Sequence, residues 1–252
     1  MNSLRINGAR VEIWRDLAEL SERAAELLIG IAREAASTPG GFTLALSGGS
    51  TPKALYELLA REEKSARIPW EQTHVFWSDE RCVPPSDSQS NYRMAHETLL
   101  ARVCVPAEHI HRMRGEDEPH LAAEAYAVEL ENHFGAGDPR LSLILLGMGD
   151  DGHTASLFPH TPALVDTSHT VAANYVEKLA AHRLTMTLRT LNAAATIIFL
   201  VSGEAKAAAL NRVFESGAIE DEPPPARLVR PAQGELMWLV DEAAAGLFSS
   251  RY

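Results

Sequence analysis

The stretch that most constrains this chain is Leu141 to Pro159, LSLILLGMGDDGHTASLFP. Leu141 to Leu146 is a short, nearly uninterrupted apolar run. A run of that length, closed by glycine, fits a strand buried on both faces, as in a parallel sheet. Gly147, Gly149 and Gly152 then break the chain into a tight loop that carries Asp150, Asp151 and His153. Ligands of open α/β sheets bind just beyond the carboxyl ends of the strands. Three ionisable groups at such an end therefore stand where a site is expected.

The rest of the chain alternates in the same way. Strands are expected at Phe42 to Leu46, His74 to Trp77, within His169 to Tyr175, at Arg183 to Leu188, Thr196 to Val201 and Leu236 to Val240, with Val11 to Trp14 as a short edge strand. From Asp16 the period changes: Leu17, Leu20, Ala24, Leu27, Leu28 and Ile31 recur three and four apart, as on one face of a helix that ends at the Thr38-Pro39-Gly40-Gly41 turn. Further helices are expected at Lys53 to Arg61, Ser90 to Ala101, Leu121 to Phe134, Gly203 to Phe214 and Glu242 to Phe248. Thr154 to Phe158 has room for about one helical turn before Pro159 and Pro162 stop it. No repeat, low-complexity tract or linker interrupts the pattern. The expectation is a single α/β domain over residues 1–252 with a mostly parallel sheet.

Composition narrows the partners. A formal charge of −11 argues against a nucleic-acid binder, which needs a basic face. Cys82 and Cys104 have no metal-ligand spacing and suit a reducing compartment. The opening MNSLRING lacks the apolar core of a signal peptide, and no run is long enough to span a membrane. A cytoplasmic protein acting on a small molecule, with no membrane or nucleic-acid partner, is the expectation. His109 and His111 alternate with Arg112 and Arg114; with no third metal ligand nearby, this segment reads as solvated loop.

Two further turns carry chemistry. Ser47-Gly48-Gly49-Ser50-Thr51-Pro52 joins a strand to a helix, with Ser50 or Thr51 as cap and proline in the first turn. Free backbone N–H groups at a helix N-terminus suit a phosphate, although the same glycines would serve a plain tight turn. The segment is neither a Walker loop nor a hydrolase elbow, since both signatures are absent. Asp79-Glu80-Arg81 ends the next strand. It reads either as a surface ion pair or as an arginine turned into the cleft, where a guanidinium grips phosphate oxygens.

The central loop contains a decoy. Gly147-Met148-Gly149-Asp150-Asp151-Gly152 matches G-x-G-x-x-G, but its two aspartates would face a pyrophosphate with like charge, and Pro159 cuts the following helix short. Acid–base chemistry fits better. Imidazole titrates near neutral pH, and Asp151, two residues before His153, is placed to fix the tautomer and stabilise the imidazolium. The bland alternative makes the aspartates caps for loop N–H groups and His153 a bystander. A divalent metal on Asp150, Asp151 and His153 is a weaker third reading, because spacing alone does not supply the geometry.

Taken together, LALSGGSTPKALYELL, VFWSDERCVP, SNYRM and LLGMGDDGHTASLFP resemble the 6-phosphogluconolactonases of the glucosamine-phosphate isomerase/deaminase superfamily. The resemblance runs from about the first helix to the last strand. It implies a Rossmann-like fold with helices on both faces of the sheet, and cofactor-free, metal-free hydrolysis of 6-phospho-D-glucono-1,5-lactone to 6-phosphogluconate in the oxidative pentose phosphate pathway. It implies His153 as general base and Asp151 as the acid that orients it. It implies phosphate or substrate binding by Ser47, Gly48, Gly49, Ser50 and Thr51, by Arg81, and by Lys178. The usual prolines after that lysine are replaced by Leu179, Ala180, Ala181 and His182, so Arg183 is expected to share or replace its role. A monomer or weak homo-oligomer is expected. The related deaminases carry an acid in a Phe-Asn-Glu-Pro stretch, where this chain has Ser156, Leu157, Phe158 and Pro159. A non-catalytic sugar-phosphate sensor would need the phosphate site but not the Asp–His pair, and would usually carry a DNA-binding module; the acidic balance counts against it.

Overall fold

Phe42–Leu46 and Leu143–Leu146 are buried along their whole length, the condition of strands covered on both faces. In the computed structural model, which describes residues 2–38, 40–215 and 222–247, they are central strands. The elements are β1 (Asn2–Ile6), β2 (Ala9–Trp14), α1 (Leu17–Ala35), β3 (Phe42–Leu46), α2 (Ser50–Leu59), α3 (Glu62–Ser65), β4 (Thr73–Trp77), β5 (Asp79–Arg81), α4 (Asn91–Thr98) and α5 (Pro119–Phe134). They continue with β6 (Leu143–Leu146), β7 (Val171–Val176), β8 (Ala181–Met186), α6 (Leu188–Leu191), β9 (Thr196–Val201), α7 (Ala207–Phe214), β10 (Glu235–Asp241) and α8 (Glu242–Ala245).

Seven strands form one sheet in the order β1-β2-β10-β9-β6-β3-β4, flanked by helices on both faces, and β5-β8-β7 form a small second sheet. Every neighbouring pair in the large sheet is parallel except β1–β2. The α1 face that the periodicity marks is the buried one, with Leu20, Ala24 and Leu28 fully covered, and Asp16 caps the helix by accepting from the Glu19 N–H. From β3 the chain moves outward to β4 at one edge. From β6 it moves the other way, through β9 and β10 towards β2. Because β3 and β6 are neighbours, paired at Leu44–Leu143 and Ala45–Ile144, the strand order reverses between them. Loops leaving the two carboxyl ends therefore diverge and open a crevice there.

Several local expectations are corrected. Val11 to Trp14 is not an edge: β2 lies between β1 and β10, and the edge is β1. β1 is brought in by a hairpin turning on Asn7-Gly8, both at positive φ, with Ile6 paired to Ala9; Asn-Gly is the strongest short hairpin signal. The helix after Ser90 stops at Thr98, and a 3-10 turn over Leu100–Arg102 follows. Another 3-10 turn, Glu204–Lys206, precedes α7. Thr154 to Phe158 is irregular rather than helical, with a bridge between Thr154 and Leu157 and Ala155 at positive φ. Pro39 in the first turn and Phe248 at the end of the closing helix lie outside the described residues.

The segment with His109 and His111 is not a solvated loop. It runs along the outer edge of β4, bridging Ile110 to Val75, and both histidines are half-buried. Arg112 and Arg114 turn outward to Glu116 and Asp117.

Candidate active site

The turn after β3 begins with a strap. The Ser47 hydroxyl donates to the Leu145 carbonyl at 2.7 Å and shares a hydrogen bond with Ser78 at 2.6 Å. Tyr56, nearly two turns into α2, accepts from the Ser47 N–H and donates to the Ser47 carbonyl. Ser47 thus ties β3 to its neighbours and leaves the cradle to the residues after it. Gly49, at φ +108°, is the helix cap, and no side chain caps it; Ser50 and Thr51 are inside α2 rather than capping it. The first-turn N–H groups of a helix have no intrahelical acceptors, so this end offers donors to an anion. Gly48 cannot carry a side chain without a shift, because a Cβ there would lie 1.9 Å from Asn91 Oδ1. Asn91 is itself fixed by donating to the Asp79 carbonyl at 2.9 Å.

The loop after β6 wraps a histidine. Gly149 accepts its own closure from both sides: its N–H donates to the His153 carbonyl, and the Gly152 N–H donates to the Gly149 carbonyl. A Cβ on Gly149 would stand 2.1 Å from His153 Nδ1, so only glycine lets the ring sit there. His153 Nδ1–H donates to Asp151 Oδ1 at 2.5 Å, and the His153 backbone N–H donates to the same oxygen at 3.0 Å. The imidazole also stacks on Phe158, ring centroids 4.0 Å apart. Burial opposes a charge on Asp151, but hydrogen bonds from His153 and from the Lys178 ammonium prevail and hold its carboxyl well below the usual carboxylate range. Asp150 is exposed.

Both loops face one cavity of about 210 Å³, lined by Gly48 to Thr51 on one side and by Gly149, His153 and Thr154 on the other. Arg81 lines it too. The Asp79-Glu80-Arg81 segment is not a surface ion pair. Glu80 is buried and accepts the N–H groups of Arg81, Asn91 and Tyr92 and the Ser90 hydroxyl. Asp79 is buried and accepts the Ser156 hydroxyl at 2.7 Å. The Arg81 guanidinium is left to donate to the Gln89 carbonyl at the cavity wall. Arg183 is its cross-strand partner in the β5–β8 pairing and is half-buried; burial and the neighbouring Arg81 both push its guanidinium pKa down. Lys178, which the resemblance assigns to phosphate, donates to Asp151 and lies over the Phe158 ring, 4.7 Å from its centre.

Lys206, which carries no motif of its own, lines the same cavity. Its signal was present: Ser202-Gly203-Glu204-Ala205-Lys206 follows a buried strand and opens a helix, the same strand–turn–helix context as Ser47 to Thr51. Ser156 and Asn174, which buttress Asp79 and the loop after His153, had no local signal, because their partners are distant in sequence.

A parallel sheet with an anion-suited helix end and an oriented imidazole at its strand-order reversal defines a small-molecule α/β enzyme. Comparison with known proteins makes the class specific. The family model of glucosamine-6-phosphate isomerases/6-phosphogluconolactonase matches residues 15–238. The 6-phosphogluconolactonase of Nostoc sp. is 42% identical over 243 residues, which cover 95% of this chain and 98% of that one. The human 6-phosphogluconolactonase is 38% identical over 250 residues, covering 95% and 93%. Among solved structures, 6-phosphogluconolactonase from Trypanosoma cruzi matches with a TM-score of 0.85 at 26% identity, covering 99% of this chain and 100% of that one. The chain belongs to the glucosamine-6-phosphate isomerase/6-phosphogluconolactonase family. With such identity to lactonases over nearly its whole length, it is an enzyme of the lactonase-type hydrolase class.

Proposed function

We propose that this chain hydrolyses the ring ester of 6-phospho-D-glucono-1,5-lactone to 6-phospho-D-gluconate, the lactone step of the oxidative pentose phosphate pathway, using water activated by His153. The observation that carries the reading is the single cavity lined by both His153 and the Gly48–Thr51 turn. Asp151 holds the Nδ1–H of His153 and so leaves Nε2 as the basic nitrogen. That nitrogen takes a proton from water as the oxygen adds to the lactone carbonyl carbon. The tetrahedral intermediate then collapses, the bond from C1 to the ring oxygen breaks, and the imidazolium returns its proton to the leaving alkoxide. Backbone N–H groups of the glycine loops stabilise the oxyanion.

The phosphate is a handle remote from the bond that breaks, and its binding positions the ring. The helix end at Gly48 to Thr51, Lys206 and Arg81 hold it, with Arg183 adding charge beside Arg81. Lys178 acts through Asp151, compensating its charge beside the base. The enzyme works in the cytoplasm as a monomer or weak homo-oligomer, without cofactor, nucleic acid or membrane; among the described residues no helix is long and apolar enough to cross a membrane.

The test supplies fresh lactone and follows acid release, with spontaneous hydrolysis subtracted. The native chain should turn it over, and His153→Ala should lose roughly 10² to 10⁴ in kcat. Equal rates for the two proteins would remove the assigned base. Release of ammonia from glucosamine 6-phosphate would move the chain to the deaminase branch, although residues 156–159 offer no acid for that chemistry.

A further inference from the structure

We propose a second site remote from the cleft: a three-imidazole site for a divalent transition ion of the zinc class, formed by His74, His111 and His133. These residues come from separate elements. His74 is on the edge strand β4, His111 is on the segment that runs beside it, and His133 is in the last turn of α5. The His111 N–H donates to the Val75 carbonyl at 2.8 Å, which fixes that segment against the strand edge. Period-two alternation then puts His109 and His111 together on one strand-like segment and His74 and Phe76 together on the other. His74 stacks on His109 at 3.8 Å between centroids and Phe76 on His111 at 4.3 Å, while His133 lies tilted against His74 at 4.5 Å.

One potential ligand nitrogen from each of His74, His111 and His133 lies within 4.8 Å of the others. The tightest pair is His74 Nδ1 and His111 Nε2, 3.0 Å apart. Glu129, one turn before His133 on α5, accepts from His111 Nδ1 at 2.7 Å. That bond directs the His111 proton outward and leaves Nε2 with a lone pair facing His74. A carboxylate behind an imidazole is the arrangement that orients metal-binding histidines and raises their basicity. Ligand nitrogens on a tetrahedral ion at Zn–N distances of about 2.05 Å stand about 3.3 Å apart, so the His74–His111 pair opens by about 0.3 Å and nitrogens as far as 4.8 Å apart close by up to about 1.5 Å, by ring rotation, when an ion binds. His74 Nδ1 and His111 Nε2 share a hydrogen bond that an ion would replace; His109, stacked on His74, is not a ligand, and its buried Nδ1 has no partner.

The donor set selects the ion. Three imidazoles without a carboxylate ligand suit zinc, nickel or copper and not the oxygen-seeking magnesium or calcium. All three rings are half-buried, so none is sealed from solvent. An ion there would join β4, the 103–118 segment and the end of α5. His74 is four residues before Ser78, about 13 Å along an extended strand, so the site lies at the opposite end of β4 from the cleft.

The full chain, stripped with a chelator, is titrated with Co²⁺ and then Zn²⁺. The expected result is one equivalent of Co²⁺ with the visible absorption of a four-coordinate, nitrogen-rich site, displaced by Zn²⁺. Zinc at about 100 times its Kd should raise Tm by about 5 °C. Because the Asp151–His153 pair is another potential ligand set, His153→Ala is titrated in parallel and should bind as the native chain does. His133→Ala should weaken binding about 100-fold with lactone hydrolysis unchanged, and Glu129→Gln, which removes no ligand, should weaken it about 10-fold. Binding lost in His153→Ala but kept in His133→Ala would overturn the proposal. So would native-like affinity in Glu129→Gln should His133→Ala fail to fold, or the absence of a Co²⁺ band and of any Tm shift in the native chain.

Discussion

Replacing Asp151 with asparagine keeps the size of the side chain and removes its charge. In the native chain Oδ1 accepts both the His153 ring N–H and the His153 backbone N–H, while Oδ2 takes the Lys178 ammonium. Asparagine cannot serve all three. With its carbonyl oxygen towards His153, its NH₂ faces the ammonium, donor against donor. Flipped, its NH₂ faces two N–H groups of His153 and forces the wrong tautomer, which removes the base. Either way the imidazolium formed during proton transfer loses its counter-charge and gains an uncompensated lysine nearby. Opposite unit charges about 4 Å apart attract by about 4 kcal/mol at an effective dielectric of about 20. Both side chains are a little over a quarter exposed, and a discount for solvent leaves about 3 kcal/mol, or roughly a 10²-fold loss of kcat. Asp151 is outside the anion cradle, so KM should change little. Initial rates on fresh lactone, corrected for spontaneous hydrolysis, measure both constants, and a Tm scan confirms folding. A kcat within threefold of native, or a loss carried wholly by KM, would refute the assignment of Asp151 to the base rather than to loop structure.

Three other outcomes follow from the same coordinates. Lys206→Ala should raise KM about tenfold or more with kcat nearly unchanged, as expected for a lost charged hydrogen bond of about 1.5–3 kcal/mol to the handle; a kcat effect of equal size would place Lys206 at the reacting end. Gly48→Ala puts a methyl 1.9 Å from Asn91 Oδ1 and should cost about 1–3 kcal/mol, read as a lower denaturation midpoint, with much of the loss recovered when Asn91→Ala is added. Glu12 is fully buried between Arg23 and Arg10, and although burial opposes its charge, the two arginines hold its pKa below 4.5. Glu12→Gln should therefore lose about 3 kcal/mol at pH 7. The pair's contribution is fully present above pH 4.5 and is lost as pH falls towards the depressed native value, so native and variant midpoints should converge in acid.

Much of the fold was legible because its signals are local. Leu143–Leu146 and Phe42–Leu46 read as buried strands, the apolar positions of α1 read as one helical face, and the glycines after each strand marked the carboxyl edge. Where the structure departs from the sequence pattern, one cause is local and another is distant. Val11 to Trp14 reads as an edge until the Asn7-Gly8 turn adds β1 outside it, and Thr154 to Phe158 reads as a helical turn although its shape is held by distant partners such as the Thr185 hydroxyl on the Ser156 N–H. The candidate site divides in the same way. Asp151 and His153 are two residues apart, so their pairing is readable; the strand–turn–helix context of Lys206 marks a helix start but not which cavity it faces.

By itself, the sequence determined the long central strands and helices, that a mostly parallel sheet would form, and which loops carry ionisable groups, since periodicity, glycine and proline act over a few residues; the short elements β1, β5, α3 and α6 were not legible in it. Tertiary structure alone decided strand order, and with it the reversal between β3 and β6 that makes the Ser47 turn and the His153 loop share one cavity. It also decided that Lys178 meets Asp151, and that His74 and His133 join His111. Those meetings depend on how separate elements pack, and contacts between residues tens of positions apart leave no periodic trace along the chain.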